Sequence, residues 1–280
     1  MPNANTAPPS APTLAFVGGG NMARSLIGGL IARGAEPSRL RVAEPVPALR
    51  EALARDFGVP VFERGEQAVE GADVWLLAVK PQVMREVCGA LAAQARAQAP
   101  LAISIAAGIT AGQLDRWLGG GAAVVRAMPN TPALLGAGIT GLYANEAARP
   151  RFAQAAELLS AVGPTVRIDD EAQMDAVTAV SGSGPAYVFL LAEAMQQAGE
   201  AQGLSAEAAR ALVTQTLLGA ATMLQASEEP AATLRARVTS PNGTTQAAVE
   251  TFEAGGFRGL VDRAIAAATE RGRQLSAANE

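Results

Sequence analysis

The chain has 280 residues, enough for about two domains, and 49% of them are hydrophobic, so it can bury a large core. The net charge is −4 and no block of Lys and Arg is present, which argues against a nucleic acid as partner. The absence of histidine removes the commonest general acid or base and the commonest metal ligand, so we expect no metal site.

The start of the chain and its one cysteine bear on where the protein works. Residues 1–12 lack the apolar and basic segments of a signal peptide, so we expect a disordered tail there. The single cysteine, Cys88, excludes an intrachain disulfide and fits a reducing compartment, which we take to be the cytoplasm. We expect Cys88 to be a small helix residue rather than a nucleophile. No apolar run reaches the ~18 residues of a membrane span.

The first structured segment is a short apolar run at residues 14–17 that leads into Gly18, Gly19, Gly20, Asn21, Met22 and Ala23. This is the G-x-G-x-x-A form of the dinucleotide fingerprint. Gly18 allows the tight turn, Gly20 lets a pyrophosphate approach the backbone, and Ala23 lets the helix pack close to the strand. We predict that all six residues bind a dinucleotide cofactor, whose phosphates face the N–H groups of the helix start.

Strand and helix patterns alternate along the first half of the chain. Strands are predicted at residues 14–17, 40–43, 59–62, 74–79, 101–105, 123–126, 139–143 and 165–168. Helices are predicted at residues 22–33, 47–57, 66–70, 83–97, 110–117 and 147–161. This alternation is typical of a parallel, doubly wound sheet, so we expect an α/β Rossmann-type, dinucleotide-binding domain over residues 13–168.

Three further loops are predicted to reach the cofactor, because ligands of open α/β sheets bind beyond the carboxyl ends of the strands. Lys80 is expected to point toward the nicotinamide half, and the small residues after the strand at 101–105 would let a ring lie against the backbone. For the loop at residues 126–132, a purely structural role is the alternative. The cofactor-binding residues predicted in these loops are Ala78, Val79, Lys80, Pro81, Ala106, Ala107, Gly108 and Asn130.

From residue 171 onward the strand patterns vanish, and long helices rich in Ala and Leu are predicted at residues 186–202, 206–225 and 257–276. The stretch 208–224 carries one charged residue, Arg210, and a helix that is apolar nearly all round needs burial on all sides. A domain of ~110 residues offers limited interior for it. We therefore predict an all-helical domain over residues 169–280 that packs against a second subunit. A central helix of an ordinary core is the alternative.

Two polar loops in this half precede helices. Residues 181–186 supply serines and glycines for capping and close backbone approach, with Pro185 at the first helical position. Residues 240–245 end in Gly243, Thr244 and Thr245, which would present N–H groups and two hydroxyls at a helix N-terminus. Such a terminus is an anion site of the size of a carboxylate. Simple helix caps are the alternative in both places.

In this order and spacing, these segments resemble the pyrroline-5-carboxylate reductase family, which catalyses the last step of proline synthesis. The resemblance extends from about residue 13 to 276 through residues 18–23, 78–81, 106–108, 128–132, 175–178, 181–187, 240–245 and 255–258. The last three stretches are the most specific. The resemblance implies hydride transfer from NADPH or NADH to the cyclic imine 1-pyrroline-5-carboxylate. It also implies a homodimer, often assembled into a decamer of five dimers.

The resemblance also implies roles for individual residues. It suggests that Thr245 is the catalytic residue and hydrogen-bonds the substrate near its ring nitrogen. It suggests that Gly243 and Thr244 hold the substrate carboxylate through backbone groups. Ser240 is assigned to the same substrate-binding loop, and Glu171 matches a position close to the bound product.

Three residues depart from the family's pattern. Asn242 stands where the family usually has a glycine, and asparagine tolerates a positive φ better than most residues. Gly65 replaces an asparagine often found near the adenosine. Glu44 ends the second strand, and a carboxylate there favours the ribose 2′-OH of NADH over a 2′-phosphate. We expect Glu44 to contact the cofactor and to favour NADH, although Arg41 or Arg50 could serve a phosphate.

Two other functions stay open at this point. A reductase of another imine or of a β-hydroxyacid would share the layout, but hydroxyacid dehydrogenases of this kind place a lysine on the long central helix, and residues 186–202 contain none. A cofactor-sensing binding protein without turnover would keep the glycine turn but would not need the anion site at residues 240–245.

Overall fold

The computed structural model describes residues 11–279, which form two compact units. The first unit ends at Gly182 and takes in the chain again from Ala268, and the second unit is Ser183–Ala267. The predicted domains divide after residue 168, where strand patterns end, so the described units differ in placing residues 169–182 and the chain from Ala268 with the sheet. Of the tail expected at residues 1–12, residues 1–10 lie outside the described chain.

Within residues 11–279, eight strands of the first unit form one sheet in the order β3-β2-β1-β4-β5-β6-β7-β8. They are β1 (Leu14–Val17), β2 (Leu40–Ala43), β3 (Val61–Phe62), β4 (Val74–Leu77), β5 (Leu101–Ser104), β6 (Ala123–Met128), β7 (Thr140–Ala144) and β8 (Thr165–Arg167). The first six strands are parallel, as predicted. The strand order reverses between β1 and β4, which is where open α/β sheets bind ligands.

The strand β7 departs from the parallel pattern, because it pairs with β6 in antiparallel fashion. A parallel return needs a crossover of about a dozen residues or more, usually helical. The connection from β6 to β7 holds a short 3₁₀ segment, Thr131–Leu135, instead. β8 then pairs parallel to β7. The doubly wound α/β architecture is confirmed, with one antiparallel strand that the sequence pattern did not predict.

Seven α-helices surround this sheet in the described chain. They are α1 (Asn21–Ala32), α2 (Pro47–Phe57), α3 (Gly65–Val69), α4 (Pro81–Gln98), α5 (Ala111–Trp117), α6 (Phe152–Leu159) and α7 (Met174–Val177). The single helix predicted at residues 147–161 is split, because a 3₁₀ segment at Glu146–Arg151 precedes α6. Pro150 lies in that segment, lacks an N–H to donate and crowds the preceding turn.

Two apolar clusters, on opposite faces of the sheet, form the core of the first unit. Phe16 and Leu76 belong to one cluster, whereas their strand neighbours Val17 and Leu77 belong to the other, because successive residues of a strand face opposite sides. Cys88 is fully buried in the second cluster, and burial raises the pKa of its thiol to about 12. At neutral pH the group is a thiol and not a nucleophilic thiolate, which agrees with its predicted structural role.

The second unit is all-helical. Its helices are α8 (Gly184–Ala201), α9 (Ala206–Ala226), α10 (Ala231–Arg237), α11 (Thr244–Ala254) and α12 (Phe257–Ala278), the last of which ends in the first unit. Between α8 and α9, Gly203 adopts a φ of 97° and the Ser205 hydroxyl accepts a hydrogen bond from the Ala208 N–H at 3.2 Å. Gly203 and Ser205 mark the boundary between the helices that the sequence predicts at residues 186–202 and 206–225. No helix in residues 11–279 has the length and apolarity to cross a bilayer.

Large apolar side chains of the second unit are exposed in the single chain. Phe189 of α8 is 68% exposed and Leu218 of α9 is 59% exposed, while only Ala209 and Val213 of α9 are buried. Extensive exposed apolar surface marks a protein–protein interface. This exposure supports the prediction that α9 packs against a second subunit rather than inside an ordinary core.

We expect Leu218→Asp to weaken the dimer by at least about tenfold in dissociation constant, because a carboxylate in an apolar interface loses its hydration. Light scattering on a size-exclusion column across a concentration series measures the shift toward monomer. The matched control is Leu49→Asp on α2, because Leu49 is similarly exposed but lies on the first unit. The molecular mass measured in solution for this variant should equal that of the unchanged protein. A dimer unaffected by Leu218→Asp would exclude this part of α9 from the interface.

Candidate functional site

The glycine turn after β1 passes very close to the loop after β4. Gly18 adopts a φ of 103°, and a Cβ built on it would lie 2.6 Å from the carbonyl oxygen of Ala78. The Ala78 N–H donates to the carbonyl of Val17 at 2.8 Å, and the Gly18 N–H donates to the carbonyl of Ala43 at 2.9 Å. Glycine is therefore required at position 18 both by its backbone conformation and by the lack of space for a side chain.

The helix α1 starts directly after this turn and its first turn is open. Gly20 is the N-cap residue, and no side chain caps the helix. A Cβ built on Gly20 would meet no atom within 4 Å. Ala23 is buried against the sheet, as the fingerprint requires. The open N–H groups and the space beside Gly20 fit a pyrophosphate, whose charge the helix dipole would stabilise.

Glu44 follows β2 and is fixed at the same turn. Its side chain is 7% exposed, with Oε2 accepting from the Gly19 N–H at 3.0 Å and Oε1 accepting from the Val46 N–H at 3.0 Å. The Arg50 guanidinium donates to the main-chain carbonyl of Glu44 at 2.7 Å, whereas Arg41 donates to a carbonyl of a neighbouring loop. A held carboxylate thus lies beside the fingerprint, with Arg50 as the nearer of the two arginines considered from the sequence.

Two predicted loops follow the neighbouring strands β4 and β5 at this edge. In the first, Lys80 is exposed and precedes α4, whose first residue is Pro81. In the second, Ala106 donates its N–H to the hydroxyl of Ser104 at 3.3 Å, and Gly108 adopts a φ of 70°. Because β1, β4 and β5 are adjacent and parallel, the glycine turn and these two loops lie at one edge of the sheet.

Asn130, predicted as a cofactor contact, uses its side chain within the fold. Its Oδ1 accepts from the Ile139 N–H at 3.0 Å, and its Nδ2 lies 3.4 Å from both the carbonyl and the hydroxyl oxygen of Ser181. These bonds tie the loop after β6 to the start of β7 and to a π-type turn at Thr178–Gly182. The amide is therefore already engaged, and its role toward a cofactor stays a prediction.

Sequence reasoning missed a buried ion pair near these loops. Arg126 in β6 is 6% exposed, and its Nη1 donates to Oε1 of Glu171 at 2.8 Å. The same oxygen accepts from the Ala111 N–H, at the start of α5, at 2.6 Å. An arginine in an apolar strand was the available signal, but no local pattern identifies a partner 45 residues away. Glu171 is thus held within the first unit.

This ion pair lies among groups whose ionisation it influences. Burial raises the pKa of Asp175, and the positive charges of Arg126 and Arg273 partly offset the effect. Burial also raises the pKa of the Tyr143 hydroxyl, and the negative charge of Glu171 adds to that rise. Tyr143 therefore stays protonated at neutral pH and can donate a hydrogen bond there.

In the second unit, residues 240–245 form a tight turn into α11. Asn242 adopts a φ of 59°, in the left-handed region, as expected for an asparagine that stands in a glycine position. The Asn242 N–H donates to Oε1 of Gln246 at 2.6 Å, and the Gly243 N–H donates to the carbonyl of Ser240 at 3.0 Å. The substitution noted in the sequence therefore leaves the turn intact.

The first turn of α11 is open in the same way as that of α1. Gly243 is its N-cap residue, no side chain caps the helix, and Thr244 and Thr245 are exposed. The hydroxyl of Thr251, further along α11, donates to the carbonyl four residues earlier, whereas that of Thr245 has no hydrogen-bond partner among residues 11–279. Because the Gly243 N–H is already used, the Thr244 N–H is the free group of the pair expected to hold a carboxylate.

The predicted site residues thus fall into two groups. The fingerprint residues 18–23, Glu44 and the loops at 78–81 and 106–108 lie in the first unit, as does Glu171, while residues 240–245 lie in the second. Among residues 11–279, no three Cys, Asp or Glu side chains are arranged to hold a metal ion. The first group has the form of a dinucleotide site and the second that of a small carboxylate site.

Two family models match the chain. A model described as pyrroline-5-carboxylate reductase dimerisation matches residues 171–275, and one described as NADP oxidoreductase, coenzyme F420-dependent, matches residues 13–108. The pyrroline-5-carboxylate reductase of Pseudomonas aeruginosa is 53% identical over 268 residues, which are 95% of this chain and 98% of the relative. These matches extend over both compact units.

Two solved structures are similar over the same extent. A pyrroline-5-carboxylate reductase from Coxiella burnetii superposes with a TM-score of 0.91 at 41% identity, covering 95% of this chain and 98% of that one. A pyrroline carboxylate reductase from Plasmodium falciparum, with NADP bound, superposes with a TM-score of 0.83 at 28% identity and the same coverage.

A glycine substitution can separate cofactor binding from folding. Because a Cβ on Gly20 would meet no protein atom within 4 Å, we expect Gly20→Ala to melt within about 2 °C of the unchanged protein. We expect its NADH affinity to fall by about tenfold or more, because the methyl occupies the approach of the pyrophosphate. Calorimetry and NADH titration measure both.

The comparison variant for this experiment is Gly18→Ala, which should melt well below the unchanged protein, because its Cβ would lie 2.6 Å from the Ala78 carbonyl. An unchanged NADH affinity in a folded Gly20→Ala protein would contradict the placement of the pyrophosphate at this turn.

Proposed function

Because the chain belongs to the pyrroline-5-carboxylate reductase family, we propose that the two groups of site residues serve the cofactor and the substrate of that reaction respectively. The protein is an NAD(P)H-dependent oxidoreductase that reduces the C=N bond of 1-pyrroline-5-carboxylate to give L-proline, the last step of proline biosynthesis. The observation that carries the substrate assignment is the uncapped first turn of α11, whose open N–H groups suit a carboxylate.

The carboxyl edge of the sheet is the proposed cofactor site. The pyrophosphate lies against the open first turn of α1, and the nicotinamide lies near the loops after β4 and β5. The small side chains at residues 106–108 support a flat ring placed against the backbone. The proposed cofactor-binding residues are Gly18, Gly19, Gly20, Asn21, Met22, Ala23, Glu44, Ala78, Val79, Lys80, Pro81, Ala106, Ala107, Gly108 and Asn130.

Glu44 supports a preference for NADH over NADPH. Its carboxylate is held at the glycine turn by two backbone N–H groups, which keep it beside the proposed ribose position. A 2′-phosphate at that ribose would be repelled, whereas a 2′-OH can donate to the carboxylate. Arg50 is the residue that could offset the repulsion, but its Nη1 is bonded to two main-chain carbonyls.

The turn at residues 240–245 is the proposed substrate site. The carboxylate of the imine accepts from the Thr244 N–H at the open helix terminus, and Gly243 and Ser240 shape the turn beneath it. Thr245 presents a hydroxyl that no residue of the described chain uses. Glu171 is assigned near the product by resemblance, and since its Oε1 is bonded to Arg126 and Ala111, Oε2 is the oxygen available for that role.

In this reaction the protein contributes mainly positioning and electrostatic stabilisation. 1-Pyrroline-5-carboxylate becomes an electrophilic iminium when its ring nitrogen is protonated, and the reduced nicotinamide supplies the hydride that the imine carbon accepts. Thr245 orients the ring nitrogen by a hydrogen bond from Oγ1, and the hydroxyl passes on to that nitrogen a proton taken up from solvent. The helix terminus fixes the carboxylate, which keeps the ring in a reactive orientation.

The quaternary structure follows from the second unit. The chain forms a homodimer through its dimerisation domain, in keeping with the exposed apolar faces of α8 and α9. We propose that five dimers assemble further into a decamer, as is common in the family. The buried, lone Cys88 supports work in a reducing compartment such as the cytoplasm.

The role of Thr245 is tested by Thr245→Val, which removes the hydroxyl and keeps the shape. We expect turnover of 1-pyrroline-5-carboxylate to fall by more than about tenfold, worth ~1.4 kcal/mol, because the nitrogen loses its orienting and proton-relaying group. The measurement is the oxidation of NADH and of NADPH by the imine. Thr251→Val, which removes a hydroxyl bonded within α11, is the control and should retain activity. A loss smaller than tenfold would argue against the proposed role.

The role of Glu44 is tested by Glu44→Gln, which keeps an acceptor for the Gly19 N–H and removes the charge. We expect kcat/KM with NADPH to rise about tenfold relative to that with NADH, because the repulsion of the 2′-phosphate disappears. Glu157→Gln, which removes an exposed charge from α6, is the matched control and should leave the ratio unchanged. If the ratio stays constant in Glu44→Gln as well, the carboxylate does not face the ribose.

A further inference from the structure

The last turn of α12 lies against the loop after β5, and both belong to the first compact unit. We propose that this turn, with Gln113 and Asn279 as positioning residues, holds residues 106–108 in place for the nicotinamide end of the cofactor. The inference rests on the proposed function, which assigns that loop to the cofactor. It assigns a role in cofactor binding to residues 275–279, which lie far along the chain from the motifs of the cofactor site.

Gln113 provides the first connection and is 1% exposed. Its Oε1 accepts from the Thr110 N–H at 2.8 Å, while the Thr110 hydroxyl accepts from the Gln113 N–H at 3.1 Å, which caps α5. Its Nε2 donates to the carbonyl of Ser276 at 3.0 Å. A single buried amide therefore joins the start of α5, directly after the loop, to the last turn of α12.

Asn279 provides the second connection. Its Nδ2 donates to the carbonyl of Leu275 at 2.8 Å and to that of Gly108 at 3.3 Å. A Cβ built on Gly108 would lie 3.1 Å from the Cβ of Leu275, so the helix and the loop backbone are in close contact. The close approach and the positive φ together explain a glycine at position 108.

The ion pair found beside the loop holds the same segment from another element. Glu171 accepts from the Ala111 N–H at 2.6 Å and is itself fixed by the buried Arg126 at 2.8 Å. Ile109, between the held points, is fully buried. The chain from residue 108 to 113 is thus fixed at a carbonyl, an N–H and a side chain, by groups from two other elements.

Holding the loop in advance lowers the entropy that cofactor binding must remove from it. The energetic share of Asn279 is that of a partly exposed hydrogen bond, whereas loss of the buried Gln113 side chain also leaves the partly buried Thr110 N–H and Ser276 carbonyl without their partner. If these hydrogen bonds served only folding, their loss would weaken the binding of every ligand of this unit equally. If they position residues 106–108, their loss weakens only the binding of ligands that reach those residues.

The experiment compares two ligands in the full-length protein by isothermal titration. NADH contains the nicotinamide, whereas ADP-ribose contains the adenosine, the pyrophosphate and the second ribose and lacks only the nicotinamide ring. For Asn279→Ala we expect about threefold weaker NADH binding, and for Gln113→Leu about tenfold, with ADP-ribose binding unchanged within about 1.5-fold. In kinetics, KM for NADH should rise while KM for 1-pyrroline-5-carboxylate stays constant. Gln274→Ala, on the same helical turn and bonded to Glu270 and Arg271, is the matched control.

Equal weakening of both ligands, or unchanged NADH binding in folded variants, would overturn the proposal. Asn279→Ala is the variant least able to disturb folding, because Asn279 is only half-buried and lies just beyond α12. Failure of the proposed function gives a different pattern. If the unsubstituted protein binds neither NADH nor NADPH, the proposed cofactor site and this proposal are both wrong. If the unsubstituted protein binds NADH but does not reduce the imine, only the proposed substrate is wrong. The NADH and ADP-ribose titrations then still test whether the last turn of α12 positions residues 106–108.

Discussion

The structure depends on how closely two loops approach at the carboxyl edge of the sheet. The turn after β1 touches the carbonyl of Ala78 so closely that a side chain at position 18 has no room. This contact directs the chain straight into α1 and leaves the N-terminus of that helix facing the edge. Glu44 completes the arrangement, because its carboxylate accepts from the Gly19 N–H of the same turn. Beside these fixed neighbours, the space next to Gly20 is open, since a Cβ built there would meet no atom within 4 Å.

The second unit obeys a different constraint, which is the shortage of interior. A unit of five helices built largely from Ala and Leu cannot cover all its apolar faces, and Phe189 and Leu218 remain exposed in a single chain. A second copy supplies the missing cover. We therefore expect dimer formation to stabilise this half, whereas the first unit has a core on both faces of its own sheet.

Much of the fold could be predicted from local patterns. The bounds of β1, β2 and α2 agree with the prediction because apolar runs and a proline at the helix start mark them clearly. The direction of β7 could not be predicted, since it depends on the length of a connection and not on the strand itself. The sequence contains Pro150, but the pattern of apolar residues around it favoured one continuous helix over residues 147–161.

The candidate site shows the same division between local and long-range information. The glycine turn and the left-handed Asn242 follow from single residues and their neighbours, so the sequence was sufficient for them. The Arg126–Glu171 pair and the bond from Gln113 to Ser276 join residues far apart in the chain, and no local sequence pattern predicts such pairs. The roles of the individual site residues stay predictions until the variants are measured.

The burial of Cys88 has a practical consequence for studying this assembly. A fully buried thiol with a pKa of about 12 is hardly ionised near neutrality, so it reacts poorly with thiol-directed reagents in the native state. The natural chain is therefore close to a cysteine-free background. One cysteine introduced on an exposed helix would carry a spin label or fluorophore at a single site per protomer, and inter-protomer distances in solution could be read without first removing the native thiol.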